Sequence, residues 1–257
     1  MNVTFHLTFL TLFSCFIMAS TSCFGQKEVV SQWNGWYMYF GNHRLTEKWG
    51  IHTEYQWRRS EIIKEWQQSL ARVGVDYRVN NQIMVTGGYG YIISFPYGKQ
   101  PIAHKFDEHR LWQQLILNHG SGRVYFNHRY RLEQRWLENI QSDGNGEAIR
   151  DEFTYLNRAR YRLMVSIPLN NDTMEPNTLF ASVYDEVFLG FGKNIALNVL
   201  DQNRLYGALG YQFSNAGNVQ FGYLFHKVIK GDGVRMEDNH TLQLSVFYNI
   251  DFRKASN

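Results

Sequence analysis

From Val29 onward, apolar and polar residues alternate with a period of two over long stretches. In WGIHTEYQWRRS, one face carries Ile51, Thr53, Tyr55 and Trp57 and the other His52, Glu54, Gln56 and Arg58. ARVGVDYRVN sets Ala71, Val73, Val75, Tyr77 and Val79 against Arg72, Asp76 and Arg78. RLWQQLILN, NRARYRLMVSI and HTLQLSVFYNI follow the same scheme, and FNHRYRLEQRW sets Phe126, Tyr130 and Leu132 against Arg129, Arg131, Glu133 and Arg135. Sustained alternation is the mark of strands with two differently solvated faces.

The links between these segments differ in length. Asn80-Asn81, His119 to Arg123 and Ser214 to Asn218 are tight polar turns, whereas Phe95 to Asp107, Leu137 to Glu152, Gly190 to Gln202 and Val228 to Asn239 are longer. Tight turns at one end and long loops at the other describe a membrane β-barrel, with the tight end periplasmic. Strands of about 11 residues, tilted by about 45°, gain roughly 25 Å of height, which matches an outer-membrane apolar band. Eleven segments begin near Val29, Trp49, Gln68, Gln82, Glu108, Val124, Phe153, Leu179, Asn203, Val219 and Asn239. Single-chain bacterial barrels have even strand numbers. The expectation is therefore one antiparallel transmembrane barrel of about 10–12 strands. Twelve is preferred, with one link hiding a strand; ten results if VVSQWNGWYMYF is not a full strand.

Alternation alone does not say which face points outward, because a soluble barrel alternates too. The choice of cation decides it. The charged faces use Arg almost throughout, while Lys48, Lys64, Lys99, Lys105, Lys193 and Lys230 fall in turns and loops. Open water gives no reason for this partition, but a confined lumen does, because the planar guanidinium holds carboxylates in a fork and is more weakly hydrated than an ammonium. The predicted lumen holds Arg58, Arg72, Arg78, Arg110, Arg129, Arg131, Arg135, Arg158, Arg160, Arg162 and Arg204, with Glu54, Asp76, Glu108, Glu133 and Glu186 as counter-charges. The expected surplus is positive.

Composition narrows the alternatives. The 257-residue chain carries 16 Tyr, 18 Phe and 7 Trp, and its net charge of +3 is too small to mark a nucleic-acid binder. Most of the Trp residues fall near predicted strand ends, as interfacial girdles do. After the N-terminal region, no run approaches the 18 apolar residues that would suggest a spanning helix. Leu7 to Ala19 has the length of a signal-peptide core, and small residues lead to Gly25, so residues 1–25 are expected to be a cleaved signal peptide and 26–257 the barrel domain. Cys15 and Cys23 are the only cysteines. Cleavage removes both, leaving no thiolate chemistry. Acylation at Cys23 is disfavoured because Ser20-Thr21-Ser22 lacks the usual aliphatic residue.

The succession LTEKWGIHTEYQWRR, HRYRLEQRW, NRARYRL, DEVFLGFGKN, DQNRLYGALGY, EDNHTLQL and DFRK resembles the domain-of-unknown-function 2490 family over essentially the whole mature chain. The resemblance implies an uncharacterised outer-membrane β-barrel of the kind typical of Bacteroidota, with no established activity.

Other constellations are weaker. HKFDEH offers His104, Asp107, Glu108 and His109 as metal ligands, but the spacing matches no closed site and a solvated loop is the preferred reading. GNG and GDG, at 144–146 and 231–233, read as turns rather than phosphate cradles. A lipid-processing enzyme needs a Ser–His pair. His119 and Ser121 lie on a tight turn without a nucleophile elbow, and His226 and His240 have no serine partner evident in the sequence. The leading expectation is an outer-membrane barrel, structural or a small passive channel favouring anions or holding an anionic ligand. Its expected partners are outer-membrane lipid and small anions, with no cofactor and no nucleic acid; protein partners are not specified. A barrel enzyme acting on membrane lipids and a soluble secreted ligand-binding barrel are the alternatives.

Overall fold

The computed structural model describes residues 27–143 and 147–253. The expected signal peptide, both cysteines and the GNG turn lie outside the described residues. Eleven strands among the described residues close into one barrel. They are β1 Glu28–Arg44, β2 Trp49–Ser60, β3 Glu65–Arg78, β4 Ile83–Ser94, β5 Phe106–Ser121, β6 Val124–Ser142, β7 Ala148–Pro168, β8 Thr178–Phe191, β9 Leu200–Gln212, β10 Gly217–Ile229 and β11 Arg235–Tyr248.

Eleven lies within the expected 10–12 strands, though it is neither the preferred twelve nor ten, and one strand pair departs from the antiparallel expectation. Among the described residues no link holds a further strand. VVSQWNGWYMYF is a full strand, paired on both sides, to β2 and to β11. Ten hairpin-connected pairs are antiparallel, but an odd number of up-and-down strands leaves the first and last pointing the same way, so closure is parallel, from Glu28↔Arg235 to Phe40↔Phe247. The chain consequently enters at one rim, called upper here, and leaves β11 at the opposite, lower rim. The expected contrast between long and short links is also reduced, because strands absorb much of the long links. Only residues 143–147 remain between β6 and β7, while the nine-residue link 169–177 lies at the rim of tight turns.

The parallel seam is held from inside by an amide ladder. Asn239 Oδ1 accepts from Gln32 Nε2 at 2.8 Å and from Asn34 Nδ2 at 2.9 Å, and Asn239 Nδ2 donates to Glu237 Oε2 at 3.2 Å. Asn34 and Asn239 are fully buried. Parallel ladders are slightly weaker per residue than antiparallel ones, so these bonds matter here. Asn239→Ala leaves the buried Asn34 amide donor unpaired and Gln32 Nε2 with only its 3.5 Å bond to Glu237, and is expected to cost about 1–3 kcal/mol, read as a lower guanidinium midpoint for the loss of heat-modifiable gel mobility.

The two faces of the wall have inverted polarity. Val73, Val75, Leu111, Leu132, Val183, Leu205, Leu209 and Phe221 are exposed on the outside, while Glu54, Arg72, Glu108, Arg110, Glu133, Arg160 and Glu186 are buried inside. Aromatic rings gather towards both rims of the outer face. Trp57 packs on Trp66, Trp66 on Phe95 and Trp136 on Tyr155 towards the upper rim; Trp49 packs on Tyr77 and Phe213 on Tyr248 towards the lower. Along β2, Trp49 and Trp57 are eight residues apart, which at about 3.3 Å per residue and about 40° of tilt separates the two belts by roughly 20 Å. Trp36 and Trp112 depart from the expected girdle and are buried inside the barrel.

Candidate functional site

The interior is not an oil core but a mesh of charge, amide and aromatic surface. Period two delivers His52, Glu54, Gln56 and Arg58 from β2, Arg72 and Asp76 from β3, Glu108 and Arg110 from β5, Arg131 and Glu133 from β6, Arg158 and Arg160 from β7, Glu186 from β8 and Arg204 from β9. Room for these long side chains comes partly from β4. A Cβ on Gly88 would stand 2.8 Å from the Trp112 ring and one on Gly90 3.0 Å from Arg72. Gly88 and Gly90 of TGGYGY thus smooth the wall against which Trp112 and Arg72 lie.

Glu133 is the hub. Its Oε2 accepts from Arg158 Nε and Nη2 at 2.9 and 2.7 Å, and its Oε1 accepts from Arg160 at 2.8 Å and Arg110 at 3.3 Å, with Arg72 at 3.5 Å. Arg72 belongs to β3 and Glu133 to β6, so this contact crosses the lumen over β4 and β5. Glu108 binds Arg110 and Arg135, Glu186 binds Arg129 and Arg160, and Glu54 binds Arg72 and His52. Asp201 adds a second carboxylate to Arg158, and Glu237 pairs with Lys230. These two acids were missed by sequence reasoning because both stand in stretches read as loops, and Asp201 is out of phase with Arg204, at the register shift between β8 and β9.

Five predicted lumen arginines, Arg58, Arg78, Arg131, Arg162 and Arg204, have no carboxylate partner among the described residues, and all but Arg78 lean on neutral groups. Arg58 donates to Gln56 and Gln68 and lies 3.9 Å from the Trp36 centroid. Arg131 donates twice to Gln114 and covers Trp112. Arg162 donates to Asn127 and approaches Tyr184. Arg204 donates to Gln202 between Trp36 and Phe188. All four line one cavity of about 290 Å³ running along the lumen. Arg78, the remaining candidate, is half-buried near the lower rim and does not line that cavity.

The link between β4 and β5 folds over the upper mouth. Starting from β4, it reaches β1 and β11 across the opening. The Tyr97 hydroxyl donates to Glu237 Oε2 at 3.2 Å, the Lys99 amide donates to Gln32 Oε1 at 3.0 Å, and Gln100 is buried. Burial, and next the Glu237 carboxylate, push the Tyr97 phenol above its ordinary range, keeping it a donor. Gly98 has φ +68° and presses against the Gln32 amide, where a Cβ would collide.

The other candidates disperse. Glu108 points inward to Arg110 and Arg135, whereas Asp107 accepts from Tyr91 and His109 contacts the Tyr89 hydroxyl; His104 lies in the preceding link. HKFDEH is thus split across the wall. His226 is buried inside with Nε2 3.0 Å from Gln202 Oε1, and His240 lies outside against the Tyr223 hydroxyl and Trp33. His119 stacks on Phe126 and His128. None of these is the hydrogen-bonded Ser–His pair that nucleophilic catalysis requires.

A family model described as a protein of unknown function, DUF2490, matches residues 33–255, which takes in the barrel from Trp33 to the described end of the chain. The chain belongs to the DUF2490 family. No curated protein matches this DUF2490 chain. Among solved structures, that of the NanC porin is similar over 79% of this chain and 89% of its own, at 14% identity and a TM-score of 0.43. For this DUF2490 member the architecture stands on its own strand pairing.

Proposed function

We propose that the protein is an outer-membrane β-barrel, exported by cleavage of residues 1–25, whose lumen passes small anions. The observation that carries this reading is the inverted wall: an apolar outer band between aromatic belts, and inside it a cavity whose lining includes four arginines without carboxylate partners among the described residues. Eight-stranded barrels are filled by side chains and 16-stranded ones leave a wide channel; eleven strands fall between, consistent with a narrow, partly filled lumen. Fixed positive charge in a low-dielectric tube focuses its field on the free space and favours anions there. The large exposed apolar face disfavours a soluble secreted barrel.

Two measurements test the proposal. Fractionation with heat-modifiable gel mobility should place the folded chain in the outer membrane. In planar bilayers under a salt gradient, the protein should open in discrete steps with an anion-preferring reversal potential. Neutralising Arg131 and Arg162 to Gln should roughly halve the anion-to-cation permeability ratio, because neither charge is matched by a bonded acid. A persistently silent bilayer with correctly folded protein would leave a structural barrel instead.

A further inference from the structure

Beneath the loop that crosses the upper mouth, Arg58 of β2, Arg204 of β9 and His226 of β10 converge on the Trp36 indole. The two guanidinium carbons lie 3.9 and 4.9 Å from the ring centroid, and the imidazole meets the same ring edge-on at 5.3 Å. All three side chains are more than nine-tenths buried. No carboxylate pairs with either guanidinium among the described residues, so two like charges share a confined space in which their repulsion is weakly screened. Arg204 Nε and His226 Nδ1 are buried and bonded to nothing in the protein. The Gln202 Oε1 atom accepts from Arg204 Nη2 at 3.1 Å and faces His226 Nε2 at 3.0 Å. An amide oxygen can only accept, so Nε2 carries the proton, and in the neutral imidazole Nδ1 then presents a lone pair.

We propose that this cluster is a binding site for a small hydroxylated carboxylate, with the carboxylate held by Arg58 and Arg204 and a hydroxyl donating to His226 Nδ1. Guanidiniums are matched to carboxylate geometry, and an anion between them relieves their mutual repulsion. An anion without a hydroxyl, such as acetate or sulfate, leaves the imidazole lone pair unused, whereas a ligand hydroxyl satisfies it. The cluster opens onto the cavity of about 290 Å³ that runs along the lumen, so a small ligand has free space beside it. The proposal rests on the reading of the lumen as an anion-accepting space, and it adds chemical selectivity to it.

The test is calorimetric titration of the refolded, detergent-solubilised full barrel with glucuronate, acetate, glucose and sulfate, run beside bilayer recording. Glucuronate should bind at least tenfold more tightly than acetate or sulfate, and glucose should give no heat. The double variant Arg58→Gln, Arg204→Gln should lose glucuronate binding, and since both arginines lack acid partners it should keep heat-modifiable mobility. His226→Phe, a single change that serves if the double variant fails to fold, should bring glucuronate down to the affinity of acetate. Equal binding of all three anions, or glucuronate affinity unchanged in His226→Phe, overturns the proposal. Anion-selective conduction without glucuronate binding overturns this inference alone; glucuronate binding by a barrel that never conducts upholds the site and overturns the channel.

Discussion

Glu133→Gln is expected to be the most damaging single substitution in the barrel, costing about 3–5 kcal/mol as a buried charge cluster loses its partner. The Glu133 side chain is wholly buried, and Arg72, Arg110, Arg158 and Arg160 all converge on it. The amide keeps the shape and one acceptor oxygen but removes the charge that makes four close guanidiniums tolerable. Arg110 retains Glu108, Arg160 retains Glu186, Arg158 retains Asp201 and Arg72 retains Glu54, so the loss is concentrated in repulsion across the lumen rather than in orphaned donors. Equilibrium unfolding in guanidinium, followed by gel mobility, should show the midpoint falling sharply. Adding Arg158→Met to Glu133→Gln should recover part of the loss, because one of the unbalanced charges is then gone; a double variant no more stable than Glu133→Gln would mean that the hub is not an electrostatic unit. Arg131→Gln, which removes a cation bonded only to Gln114, should cost far less.

Much of this interior was legible from the chain. A shift of one residue flips a strand's faces, so once Arg was read as the inward cation, the facing of Arg72 against Val73, of Arg131 against Leu132 and of Glu186 against Val187 followed together. Closure was not legible. Whether Glu28–Arg44 forms a barrel strand depends on its partner β11, more than 200 residues away, and its segment is aromatic on both faces: Trp33 and Tyr37 lie outside while Trp36 lies inside. The even-number habit of single-chain barrels then argued against the arrangement observed. Nor could spacing join Arg72 to Glu133, since contacts between non-neighbouring strands depend on the diameter of the barrel. The same holds for the Arg58, Arg204 and His226 cluster, where the sequence supplied two of the members as lumen charge and the third only as an isolated histidine.

The loop over the upper mouth should control how much the lumen carries. Residues 95–105 start and end on adjacent strands, so the shortest connection would stay at the wall. Instead Tyr97 and Lys99 bond to Glu237 and Gln32 on β11 and β1, three strands beyond β4 and further, and Phe95, Tyr97 and Ile102 line the same cavity as the arginines. Replacing Tyr97 to Gln100 by two glycines is expected to raise single-channel conductance severalfold, while the anion preference falls only modestly because Arg131 and Arg162 lie deeper on β6 and β7. Stability should change little, since loop length enters closure entropy only logarithmically and the wall hydrogen bonds are untouched. Gly98→Ala should act in the same direction but less strongly, because its left-handed backbone and the Gln32 amide oppose a side chain there. Unchanged conductance in the shortened variant would place the limiting constriction lower, at the Glu133 hub, where Arg72 reaches across from β3 and narrows the passage with its own side chain.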